Sequence, residues 1–192
     1  MADLAGLWRR TLYVAPDGRR DTESRVFWLQ AGDLCGDIRA PGPAAAAETA
    51  FAGRLERVGD VFGWRFEQAW GYPPDAPPDE GRLRWEGDIL REDGVHAPYL
   101  EHWRRETAEI VRAGRFEGGL LIETREIACA ARAGRFLLAA RRGPRWTAML
   151  AANADVAPGG PVDWPEVEGG AIRFPAGPLG PAAVSPFTPT PA

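Results

Sequence analysis

Lysine is absent from this chain of 192 residues: all 23 basic side chains are arginine, against 27 acidic ones, for a formal net charge of −4. An acidic chain with no basic block is a poor partner for nucleic acid, because phosphate neutralisation needs clustered cations. The arginine-only habit, together with abundant alanine, glycine and proline, reflects a GC-rich coding sequence rather than a function. Cysteine and histidine are scarce. Cys35 and Cys129 lie in apolar strand-like runs and read as buried free thiols. His96 and His102 share one strand face about 20 Å apart, too far to chelate together, and the four residues lack zinc spacing. No metal and no cofactor are expected. Ser24 and Ser185 are the only serines, and neither sits in a nucleophile elbow. Gly118-Gly119 and Gly159-Gly160 precede no helix start, so they are turn glycines rather than phosphate loops.

Long apolar runs are missing too. The longest uncharged stretch, Phe174–Ala192, carries Pro175, Pro178, Pro181, Pro186, Pro189 and Pro191 and cannot span a membrane as a helix. Met1–Arg10 (MADLAGLWRR) has an early acid and no apolar h-region, which does not fit a secretory signal. The expectation is a cytoplasmic protein with neither a membrane nor a nucleic-acid partner.

What is present is material for a core, with 45% hydrophobic residues, arranged in short strand-like runs. Gly6–Val14, Ser24–Gln30, Leu34–Ala40, Ala50–Val58 and Val61–Trp70 are separated by Pro16-Asp17-Gly18, Ala31-Gly32-Asp33 and Gly59-Asp60. Arg82–Arg91 and Val95–Arg105 follow, with Asp93-Gly94 read as the hairpin turn between them. Leu120–Ala128, Gly134–Arg141 and Arg145–Ala151 complete the series. Ala44–Ala50 suits one or two helical turns, and Thr107–Ala113 a helical turn or a loop. Period-two alternation places Phe62, Trp64 and Phe66 inward with Leu83, Trp85 and Trp103, while Arg82, Arg84 and Glu86 face out. Hairpin after hairpin, with no crossover helix, predicts an all-β fold: a single antiparallel up-and-down β-barrel of eight to ten strands over Leu4–Ala152. Residues 153–192 hold nine of the 18 prolines and read as an irregular Pro/Gly-rich extension packed on the barrel, with Ala171–Phe174 its only strand candidate.

Leu4-Ala5-Gly6-Leu7-Trp8-Arg9 resembles the Gly-x-Trp motif on the first strand of lipocalins and other calycins. In any small barrel such a glycine permits a bend at the closed end, and the tryptophan plugs it. The run from DTESRVFWLQ through CGDIRA to EDGVHAPYLEHWRRE is similar to a family of uncharacterised bacterial lipocalin-like proteins related to the fungal HRI-type protein. The resemblance implies a barrel with a central cavity and no established activity.

The richest stretch is Tyr99–Arg105. In a strand, Tyr99, Glu101, Trp103 and Arg105 share one face, which its two aromatics mark as internal. Glu101 then either pairs with an arginine inside the barrel or holds a proton; the ion pair is the simpler expectation. Asp37 and Arg39 share a face, as do Trp28 and Gln30. If these faces are internal, Trp28, Gln30, Asp37, Arg39, Tyr99, Glu101, Trp103 and Arg105 line one cavity. Otherwise Asp37 and Arg39 form a solvated outer pair worth little. The functional expectation is a small, mostly apolar ligand whose polar or anionic end meets Arg39 or Arg105. The alternative is a calycin-type enzyme, an isomerase or lyase, with Glu101 or Asp37 as acid or base. A fully packed interior would leave an interaction role.

Overall fold

The computed structural model describes residues 4–42 and 45–191. Met1–Asp3, at the head of the segment judged against a secretory signal, lie outside the described residues. So does Ala44, where a helical turn was expected to begin.

The first sheet is a closed barrel. Its strands are β1 (Gly6–Val14), the short β2 (Arg20–Asp21), β3 (Arg25–Ala31), β4 (Leu34–Ala40), β5 (Thr49–Val58), β6 (Val61–Trp70), β7 (Asp79–Glu86), β8 (Ile89–Gly94) and β9 (Leu100–Thr107). β1 pairs antiparallel with β3, each of β3 to β8 pairs antiparallel with the next, and β9 returns to β1 from Leu7↔Thr107 to Val14↔Leu100. Eight strands close without an edge, and β2 is a two-residue flap on β1. Gly6 makes the closure possible. Its φ is 131°, and a Cβ there would lie 2.1 Å from the Thr107 carbonyl oxygen. Two residues on, Trp8 is wholly buried and donates its indole N–H to the Leu4 carbonyl at 2.8 Å.

Alternation sets the faces. Inside the barrel lie Trp8, Val26, Trp28, Cys35, Phe51, Phe62, Trp64, Leu90 and Trp103, with Phe66 and Leu83 packed against them. Arg82, Arg84 and Glu86 are exposed, as the phase predicts. Trp85 differs, being 45% exposed. Its ring lies 5.6 Å from that of Trp8, but its strand ends one residue later, so its other side has no covering layer. The hairpin turn also differs from expectation. The stretch expected as one strand, Arg82–Arg91, is divided between β7 and β8 by a turn at Gly87-Asp88, where Gly87 has φ 66°, and the reversal from β8 into β9 lies at 95–99, just past Asp93-Gly94. No described residue is helical; Ala45–Ala47 form coil before β5, and 108–111 form a loop.

The strands expected in one barrel through Ala152 divide between two sheets. The second contains β10 (Arg112–Phe116), β11 (Gly119–Glu123), β12 (Ile127–Arg132), β13 (Arg135–Arg142), β14 (Arg145–Ala152), β15 (Pro161–Val162), β16 (Glu166–Glu168), β17 (Ala171–Phe174) and β18 (Ala183–Pro189). Their order is β15-β14-β13-β12-β11-β10-β18-β17-β16. The proline-rich C-terminal stretch is therefore not irregular. Its prolines tolerate strand structure by sitting at strand ends or on ladders of only two to four residue pairs. The two edge strands, β15 and β16, are separated by three residues only, Asp163-Trp164-Pro165. That chain length holds the edges within about 15 Å, so the sheet curls into a half-barrel.

The two sheets pack back to back. Outer residues of the barrel (Leu7, Phe27, Leu29, Leu34, Ile38, Ala50) meet Leu120, Ile122, Cys129, Phe136, Leu138 and Leu150 of the second sheet in one buried cluster. The sheets approach closely at Gly36, where a Cβ would lie 2.9 Å from the Cys129 sulfur. The other face of the second sheet, with Phe116, Leu121, Leu137, Ile172, Phe174 and Phe187, fills the half-barrel itself.

Candidate functional site

The eight residues expected around a cavity are distributed along the interior and mouth of the first barrel. Trp28 stands at the centre of an indole cluster: Trp8 stacks on it at 5.5 Å, while Trp64 and Trp103 meet it edge-on at 5.6 and 5.7 Å. Its N–H donates to Gln30 Oε1 at 3.0 Å, and Gln30 in turn donates to the Gly32 carbonyl. Asp37 and Arg39 are internal, joined at 2.6 Å, and Arg39 reaches Asp79 at 3.5 Å. Glu101 is paired, but with Arg10 at 2.6 Å, which also reaches Asp21 at 3.3 Å. Tyr99 donates its hydroxyl to Glu92 at 2.7 Å. Arg105 stands apart from this group. Its guanidinium lies 4.6 Å from the Trp8 ring centre and 5.5 Å from that of Trp85.

Sequence reasoning missed Glu92, Asp79 and Arg10. Glu92 was hidden by the turn read at Asp93-Gly94, and Asp79 by the prolines before it. Glu92 is the most unusual of the three. It is buried, faces Glu101 directly across the β8–β9 ladder, and receives Tyr99 O–H and Trp103 N–H, the latter at 3.0 Å. Trp28, Asp37, Arg39, Trp64, Asp79, Glu92 and Trp103 surround a void of about 10 Å³. That is room for about one water molecule. The indoles take the volume that an eight-stranded barrel would otherwise offer a ligand.

Burial governs the protonation of these acids. It pushes Asp37 up to about 6, against the lowering effect of Arg39. Glu92 is carried well above the ordinary glutamate range by burial and then by repulsion from Glu101. The folded chain thus keeps protons that the unfolded chain releases above about pH 4, so stability falls as pH rises. For Asp37 the loss accumulates between pH 3.8 and about 6 and is on the order of 3 kcal/mol at most. For Glu92 it continues above that window. Glu92→Gln removes the ionisable group, yet can accept from Trp103 and donate to the Tyr99 oxygen. The melting temperature of the wild type is expected to fall from pH 6 to pH 8, and that of Glu92→Gln to fall less. Parallel profiles in a thermal scan would show that Glu92 is already ionised at pH 6.

The larger space lies in the second sheet. A cleft of about 1660 Å³ opens at one end of the half-barrel, ringed by the start of β10, the end of β11, the β13–β14 turn, β15, the start of β16 and the end of β17. Trp164, on the strap between the sheet edges, reaches across this mouth and donates its indole N–H to Glu123 on the central strand β11. Glu123 is buried and also accepts from Arg112 Nε at 2.8 Å. Trp146 stacks on Trp164 at 5.0 Å, and the Arg141 guanidinium lies 5.9 Å from the Trp146 ring centre. Arg125 pairs with Glu109 at 2.7 Å. Arg145 and Arg173 line the cleft with no ion-pair partner among the described residues, as do Asp163 and Glu166, so the rim offers both signs. Val111 and Val184 expose 55% and 61% of their surface at the same mouth.

Among the described residues no group of three or more acidic, histidine or cysteine side chains is arranged to hold a metal ion, and no helix is long and apolar enough to cross a membrane. The closed eight-stranded antiparallel barrel is consistent with a calycin-like fold. No protein-family model matches the chain, and no curated protein or solved structure matches it significantly.

Proposed function

We propose that the protein binds a small, mostly apolar ligand with a polar or anionic end, and that the ligand lodges in the cleft of the second sheet. The observation that supports this is the contrast in space: about 1660 Å³ beside the Trp146–Trp164 stack against about 10 Å³ inside the first barrel. Ligand sites are concave and largely apolar, with a few convergent polar groups. The cleft combines Val162, Val167, Phe174 and Trp146 with the unpaired Arg145 and Arg173. A guanidinium free of acidic partners can meet a carboxylate with two parallel hydrogen bonds. The barrel-site residues Asp37, Arg39 and Glu101 are engaged with one another or with Arg10, and serve in this reading as structural pairs. An isomerase or lyase using Asp37 would need a substrate in a void with room for only a water, and one using Glu101 would need to draw it from its 2.6 Å pair with Arg10.

Thermal stabilisation tests the proposal. Fatty acids, aromatic acids and neutral isosteres are added to the wild type, Trp146→Ala, Arg145→Ala, Arg173→Ala and Arg39→Ala. A ligand at a hundred times its Kd is expected to stabilise the wild type by about 2.7 kcal/mol, or roughly 5–10 °C. The shift should be lost in Trp146→Ala, shrink in at least one of the two cleft arginine variants, and persist in Arg39→Ala. No shift with any ligand would overturn ligand binding. A shift lost in Arg39→Ala and kept in Trp146→Ala would place the ligand in the first barrel.

A further inference from the structure

We infer that the cleft takes a planar heteroaromatic ligand bearing an N–H donor, which replaces the chain's own Trp164 on Glu123. This rests on the cleft being the ligand site and names the chemistry it selects. Trp164 sits there as such a ligand would. Its indole is nine-tenths buried, its ring stacks on Trp146 with planes 30° apart, and its one polar atom donates to the buried Glu123 carboxylate. Yet the segment that carries it is held by side-chain packing, Pro165 also being buried, and not by its backbone. Among the described residues, Asp163, Trp164 and Pro165 make no backbone hydrogen bond to the rest of the chain. The strap crosses the mouth between two edge strands of two and three residues.

Such a contact can be exchanged. Withdrawal of the indole leaves a flat aromatic plate on one side and, at its end, a carboxylate that Arg112 alone does not satisfy. A buried acceptor deprived of its donor is costly, so a ligand supplying the ring without the N–H is penalised about ten-fold or more in affinity. An incoming N–H heteroaromatic restores both contacts and leaves the strap displaced toward the open side of the cleft. The unpaired Arg145 and Arg173 then meet whatever polar substituent the ring carries.

The probes are indole and 1-methylindole, which differ in the donor, titrated calorimetrically into the wild type, Trp164→Ala and Trp164→Phe. Trp164→Ala is expected to bind indole at least about ten-fold tighter than 1-methylindole, and tighter than the wild type does, because the competing side chain is gone. Trp164→Phe keeps an apolar plug without a donor and serves if Trp164→Ala does not fold; indole should displace it more readily than it displaces Trp164. In the wild type, saturating indole should accelerate amide exchange in β15 and β16, whose ladders flank the strap. Equal binding of the two probes by the Trp164 variants would overturn the inference while leaving the cleft a ligand site. Failure of indole to bind these variants, with fatty or aromatic acids still stabilising the wild type, would do the same. Absence of binding by every compound to every variant would overturn both.

Discussion

Trp28→Ala is expected to destabilise the protein by about 3–5 kcal/mol, the range for deleting a fully buried large aromatic. For a chain of this size that lowers the melting temperature by roughly 6–20 °C. The effect lies at the upper end because Trp28 is the hub of its cluster. Trp8, Trp64 and Trp103 each touch it, from three directions, and they cannot close over the space together without leaving their own contacts. Trp8 is further fixed by its bond to Leu4, and Trp103 by its bond to Glu92. Gln30 also loses its donor and is left buried with one amide oxygen unsatisfied. Trp28→Phe separates the two losses, since it retains a ring but not the N–H. Its cost is expected to fall between those of wild type and Trp28→Ala. Denaturant titration of the three proteins gives the comparison. A Trp28→Ala protein within 1 kcal/mol of wild type would show that the interior is loose enough to collapse.

Phe136→Ala is expected to weaken both sheets together, by about 3–5 kcal/mol. Phe136 is 1% exposed on β13, on the face that packs against the outside of the barrel. Its loss opens a hole in a cluster to which β1, β3, β4 and β5 contribute on one side and β10 to β14 on the other. A shared core of this kind couples the stabilities of the elements that build it. Thermal unfolding of wild type and Phe136→Ala should therefore each show one transition. Native-state amide exchange should rise in Leu34–Ala40 as well as in Ile127–Arg132. Two transitions, with only one of them shifted by the substitution, would mean that the sheets fold independently.

Much of the barrel was legible because its local signals agree. Strand β6 reads Phe62, Trp64 and Phe66 against Gly63 and Arg65, and its bounds are those that alternation gives. Strands β1 and β4 likewise begin and end where their turn residues place them. The reading of turns near Asp93-Gly94 shows the limit. Gly87-Asp88 is a turn dipeptide too, and only the pairing of Leu83 with Glu92 and Trp85 with Leu90 shows that the chain reverses there as well as beyond Gly94, where Asp93 pairs with Leu100. The same slip hid Glu92, since a residue beside a turn is expected to face water. The interior ion pairs were half legible: a carboxylate on an aromatic strand face needs a cation, but the alternation on β9 does not say which. Arg10 was chosen by the closure of β9 onto β1, which brings together residues 91 positions apart.

The sequence by itself determined that the chain is all-β and which face of most strands is apolar, because period-two alternation and turn chemistry are local properties; a closure at Gly6 and Trp8 was implied by the resemblance to the Gly-x-Trp motif. Only the tertiary structure decided where the sheet stops. Nothing in the apolar runs after Thr107 says that they pair with one another and with the C-terminal strands instead of extending the first barrel. Closure at β9 follows from the β1–β9 ladder, and with no free edge left the remaining strands had to form a second sheet. Their two-sided burial, against the barrel on one face and around Trp164 on the other, is why those strands carry little alternation and why the cleft could not be read from the chain.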